Sequence, residues 1–152
     1  MRMVAIIRIF FGVVYLSNGL AKLVPGIAHL PGGYYLIDSE GAKRILAHNA
    51  AHHPVAVYHD LVFNTLLPNW NVVGPLVGAS EVTAGVLLLL GLPTPLGALL
   101  AAGMALHIQF SDATGPWLFE YAVEWVPLAC LVFLHAGRRW GLDGALLGRG
   151  TD

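Results

Sequence analysis

Apolar residues along this chain gather into four blocks, roughly Val4–Leu23, Asn71–Gly91, Leu96–Phe110 and Trp117–Ala136. Turn-forming or polar stretches separate them. A helix rises about 1.5 Å per residue, so such blocks predict bilayer-crossing helices. Within the second block, Gly74, Gly78, Glu81 and Gly85 recur at steps of four, three and four and share one helical face. Small residues on that face admit close helix neighbours, and Glu81 sits among them near mid-block. A charged side chain at the bilayer centre costs about 2.5–3.5 kcal/mol on insertion scales, which predicts a partner, a proton or a ligand for it.

The first block carries a polar and aromatic stripe: Arg8, Tyr15 and Lys22 spaced by sevens, with Phe11 and Asn18 between them. Arg8 is expected to snorkel to an interface. Residues 25–69 form a polar, turn-rich loop. Pro25-Gly26 and Pro31-Gly32-Gly33 mark turns, and Ser39 to Asn49 reads as a short polar helix. After Pro54, residues Val55, Tyr58, Leu61, Val62 and Leu66 fall on one face. That segment is too polar to span; it is expected flat on the membrane surface or as a lid, with Trp70 in the interfacial belt. Pro93 and Pro95 bracket a tight turn into the third block, whose Gly97, Ala98, Ala101, Ala102 and Gly103 allow close helix contact. In the fourth block Glu120, Glu124, Pro127, Leu131 and His135 lie along one face, and Pro127 leaves the Val123 carbonyl without its helical donor. The predicted architecture is all-α: one domain, 1–152, an integral membrane four-helix bundle with an extended, partly helical loop between its first two spans.

Composition supports this. The hydrophobic share is 57% and the charged share 11%, against about 45–50% and about 25% in soluble domains. A net charge of −1 without a basic stripe argues against a nucleic-acid partner. Cys130 stands alone, so neither an intrachain disulfide nor a CxxC redox pair exists. The N-terminus has the basic start of a signal sequence, but its apolar run is too long and no A-x-A pattern follows, so it reads as a retained span. Arg2, Arg8, Arg138, Arg139 and Arg149 lie on the terminal side, against Lys22, Lys43 and Arg44 on the loop side. The positive-inside rule then predicts cytoplasmic termini and an outward loop.

With that topology, Lys22, His107 and Glu120 fall near the outer ends of their helices. Asn18 and Glu124 lie one or two turns deeper, and Glu81 is deepest. Each span thus contributes a polar group to a funnel opening outward. Two readings stay open. Lys22 or His107 pairs with Glu81 or Glu124 and only holds the bundle in register. Or the funnel binds a quinone or similar lipid-soluble ligand, which needs an apolar slot, hydrogen bonds to two carbonyls and a proton-exchanging group. Tyr15, Asn18, Lys22, Glu81, His107, Trp117 and Glu124 are the candidate residues. Two axial histidines at one depth are lacking, so haem is disfavoured. Among the loop histidines His29, His48, His52, His53 and His59, only His48 and His52 have a metal-like one-turn spacing, and polar residues on a solvated loop explain them better than a metal site. No phosphate loop or nucleophile elbow appears. A transporter is disfavoured because no inverted repeat is visible.

RIFFGVVYLSNGLAKL, with its Arg, Gly and terminal G-x-x-K-L pattern, resembles the first span of the DoxX family of small four-span bacterial membrane proteins. EVTAGVLLLLGLPTPLGALLAAGMAL is similar to that family's second and third spans, and AGRRWGLDGALLG to its amphipathic tail. The resemblance implies a four-helix bundle of the bacterial cytoplasmic membrane. It also implies association with membrane redox complexes, including thiosulfate:quinone oxidoreductase and oxidative-stress assemblies, with Lys22 and Glu81 as the family-like polar positions. The long histidine-bearing loop is a departure from it. A quinone-linked redox subunit is one expectation; an accessory or assembly subunit of a larger complex, or a homo-oligomer, is the other.

Overall fold

The computed structural model describes residues 2–31, 33, 36–113, 120–134, 136–138 and 140–146. Its long helices are α1 (Arg2–Leu23), α4 (Trp70–Leu90), α5 (Thr94–Ser111) and α6 (Ala122–Phe133). Between α1 and α4 the chain forms a 3-10 turn at Ile27–His29, then α2 (Ser39–Ala51) and α3 (Ala56–Leu61), which runs into a π turn at Val62–Leu66. A last short helix, α7 (Asp143–Leu146), follows α6. The protein is all-α, and α1 and α4 are each long and apolar enough to cross a membrane.

The glycine face of α4 meets α1. A Cβ on Gly85 would run into the Leu16 backbone nitrogen, and one on Gly12 would meet Leu89. Gly19 faces Val82, and Gly78 faces Leu23, so the two helices run antiparallel at backbone contact. Gly85→Ala therefore forces α1 and α4 apart, with an expected loss of about 1–3 kcal/mol, read as a lower unfolding midpoint in detergent. The core between the long helices joins Phe11 and Tyr15 to Ala84, Leu88, Ala98, Ala101, Leu128 and Leu131. The alanines of α5 bring its neighbours close. Outside that core every long helix shows bulky apolar residues: Phe10 on α1, Leu76 on α4, Leu99 on α5 and Phe133 on α6 are 61%, 61%, 60% and 78% exposed. A soluble monomer rarely exposes so continuous an apolar surface, whereas a bilayer requires one.

Arg8 corrects the snorkelling expectation. It is fully buried, with Nη1 donating to the carbonyls of Leu88 (2.6 Å) and Leu89 (3.2 Å) and Nη2 to that of Trp140 (2.9 Å). These include free carbonyls of the last turn of α4, where the helix dipole also favours a cation. The tail closes over the same corner. Asp143 is buried and accepts from the Thr94 N–H at 3.0 Å, capping the start of α5. The amides of Leu142 and Asp143 donate to the carbonyls of Leu90 and Gly91, each at 2.9 Å. Gly91 has φ +64, and a Cβ there would run into Arg8 Nη1. Only glycine suits that corner.

The loop packs as its own small cluster of Ala50, Tyr58 and Val62. Tyr58 and Val62 face inward, but Leu61 and Val55 are exposed. The expected single face fails because Val55 is an extended cap residue and the π turn resets the register beyond Leu61. Trp70 is packed inside the protein. It is buried, with Nε1 donating to Ser39 Oγ at 3.1 Å, and it fastens α2 to α4. Pro75 inside α4 and Pro127 inside α6 free the carbonyls of Asn71 and Val123 from their helical donors.

Candidate functional site

Register along α1 decides which polar groups meet. With Gly19 and Gly78 at contact, Lys22 starts its side chain beside Gly78 and extends along α4 to Glu81. Lys22 Nζ lies 2.8 Å from Glu81 Oε2, with the two side chains 6% and 12% exposed. The carboxyl that the glycine face surrounds is thus paired across the α1–α4 contact, turned from lipid. Two turns before Lys22, the Tyr15 hydroxyl lies 2.8 Å from Glu124 Oε1 and 2.9 Å from the Ala101 carbonyl. Tyr15 so touches α5 and α6 at once. Glu124 stands in the first turn of α6, at the positive end of its dipole. The Lys22–Glu81 and Tyr15–Glu124 contacts both start from α1, about two helical turns apart.

Asn18, between Tyr15 and Lys22, donates through Nδ2 to the Val14 carbonyl at 3.1 Å and accepts from the Ile37 N–H through Oδ1 at 3.2 Å. The chain entering α2 thereby roofs the polar cluster. On the α5–α6 side, Trp125 Nε1 donates to Gln109 Oε1.

His107 does not join this cluster. Its ring is exposed, and the Tyr58 hydroxyl of α3 lies 3.3 Å from its Nε2. Among the described residues the buried histidine is His53 of the loop: Nε2 donates to the Phe110 carbonyl at 2.9 Å, and Nδ1 accepts from the Val55 N–H at 3.1 Å. One neutral tautomer satisfies both contacts. Burial pushes the Tyr58 phenol above its ordinary value, with Ser111 opposing, so Tyr58 stays a donor. Helical spacing gave the depth of His107 but not its rotation, which the loop sets. The rings of His48 and His52 lie 5.1 Å apart, tilted by 51°, and His52 Nδ1 donates to the His48 carbonyl at 3.0 Å. Trp117 and His135 lie outside the described residues, and Glu120 is exposed in the turn before α6.

Sequence reasoning missed the clasp made by Arg8 and Asp143. The signal was an arginine inside an apolar block together with a G-L-D-G turn in the tail. A depression of about 510 Å³ beside Leu89, Leu90, Trp140 and Leu142 adjoins that clasp, at the opposite end of α1 from Lys22.

The DoxX family model matches residues 3–112. The chain belongs to the DoxX family. The match takes in α1 to α5, and with them Arg8, Tyr15, Lys22, Glu81 and His107; Glu124 and Asp143 lie beyond it. No curated protein and no solved structure matches. This DoxX chain is a membrane protein by family and by the apolar surface of its helices.

Proposed function

We propose that this DoxX protein is a redox-linked subunit that binds a quinone or similar lipid-soluble ligand at Tyr15, Asn18, Lys22, Glu81 and Glu124. The observation that carries the reading is the charge inventory: one amine, Lys22, stands with two carboxyls, Glu81 and Glu124, inside an apolar bundle. Ion pairing alone needs one carboxyl. The second gives a group that can exchange a proton with a ligand carbonyl, and Tyr15 and Asn18 add hydrogen-bonding groups beside it. His107 sits at the loop contact with Tyr58, apart from these groups. The reading includes the bacterial cytoplasmic membrane as its location, with four spans and cytoplasmic termini. Setting aside the buried Arg8 and Lys22, Arg2, Arg138, Arg139 and Arg149 still outweigh Lys43 and Arg44.

The test is solvent extraction of protein purified in mild detergent. A near-stoichiometric quinone is expected, with retention reduced at least about tenfold in Glu81→Gln, the loss of about 1.4 kcal/mol of binding, and less in His107→Ala. Absence of quinone, with no uptake when it is added back, would remove the reading.

The exposed apolar edge of α3 and α2, with Val57 78% and Ile45 46% exposed, favours a second reading. The chain is then an accessory or assembly subunit whose loop docks on a larger membrane complex. Pull-downs in mild detergent would recover a constant companion, lost when residues 39–66 are deleted.

A further inference from the structure

The Tyr15 hydroxyl has one proton and two acceptors within reach. The Ala101 carbonyl oxygen, at 2.9 Å, can only accept. Glu124 Oε1, at 2.8 Å, accepts when ionised and donates when protonated. Two hydrogen-bond arrangements follow. With Glu124 ionised, Tyr15 donates to it. With Glu124 protonated, its O–H donates to the Tyr15 oxygen, and the Tyr15 proton turns to the Ala101 carbonyl. Both contacts are satisfied together only in the second arrangement. Gain of one proton on Glu124 therefore turns the Tyr15 hydroxyl to the Ala101 carbonyl and reverses the direction of the Tyr15–Glu124 hydrogen bond.

We infer that Glu124 is the proton-exchanging group of the cluster and that Tyr15 is a positioning residue acting as its two-position switch. Glu81 is already engaged, with Lys22 Nζ donating to it at 2.8 Å. The groups near the Glu124–Tyr15 pair are Glu81 from α4, the Ala101 carbonyl from α5, and Tyr121 at the start of α6. The nearby cation Lys22 is engaged by Glu81. Tyr15 is the sole hydrogen-bond partner of the Glu124 carboxyl among the described residues. The switch joins α1, α5 and α6, so the proton state of one carboxyl is felt at three helices. What the proton is exchanged with rests on the ligand reading above; the switch itself does not.

Infrared difference spectra of the full chain in lipid nanodiscs, recorded between two pH values without added quinone, test the switch directly. A buried protonated-carboxyl band that fades as pH rises is expected in the wild type. It should vanish in Glu124→Gln, persist in Glu81→Gln, and shift in frequency in Tyr15→Phe, where the carboxyl loses its hydroxyl partner. A band that survives Glu124→Gln, or is lost with Glu81→Gln, would overturn the assignment. If Glu124→Gln fails to fold, Tyr15→Phe decides alone, since an unmoved band there also overturns it. Quinone retention is read separately, so failure of the switch and failure of the ligand site remain distinct results.

Discussion

Lys22→Met is expected to destabilise the bundle by about 3–5 kcal/mol, because it leaves the Glu81 carboxylate buried without its cation. The Glu81 side chain is only 12% exposed, so water cannot replace the amine 2.8 Å away. Its helix cannot retreat, since Gly78 and Gly85 hold α4 against the α1 backbone. Replacing both partners, Lys22→Met with Glu81→Met, removes charge and counter-charge together, and well-packed apolar replacements of buried ion pairs are often neutral or stabilising. The double variant should therefore unfold later than the single Lys22→Met variant in a detergent thermal scan followed by circular dichroism. Equal midpoints for the two variants would mean that the pair does not form.

Arg8→Met is expected to have a comparable effect by a different route. The guanidinium satisfies carbonyls of Leu88, Leu89 and Trp140 at once, joining the end of α4 to the tail. Hydrogen bonds from a charged donor contribute about 1.5–3 kcal/mol each, so losing the fork costs at least about 3 kcal/mol. Arg8→Lys should not rescue it, because a single ammonium is a point donor and lacks the planar fork. The local readout is hydrogen exchange at the amides of Leu142 and Asp143, which donate to Leu90 and Gly91. Both should exchange much faster in Arg8→Met, whereas slow exchange retained there would show that the tail holds without the arginine.

Periodicity carried much of the architecture. The glycine steps around Glu81 marked the face that α1 covers, and the Lys22 stripe supplied the partner, because both follow from helical geometry alone. What escaped the sequence was rotation and return of the chain. Arg8 near a block end reads as a snorkelling residue, since its Trp140 acceptor lies 132 residues away and becomes visible only when the tail folds back. Trp70 reads as interfacial until Ser39, from the far side of the loop, arrives to accept its N–H. His107 has the right depth for the polar cluster, but the turn of α5 and the packing of Tyr58 take it to the loop. Tyr15 and Glu124 stood out separately; their contact, 109 residues apart in sequence, depends on how α6 docks.

The ligand reading of this DoxX protein turns on whether its mixed-charge centre takes up a lipid-soluble molecule. Equilibrium titration of a short-chain quinone into the purified full chain in nanodiscs, against the Lys22→Met/Glu81→Met double variant, measures that most directly. Saturable uptake near one quinone per chain in the wild type, abolished in the folded double variant, is the predicted result. Linear partitioning indistinguishable between the two would contradict it and leave those buried charges as bundle fasteners.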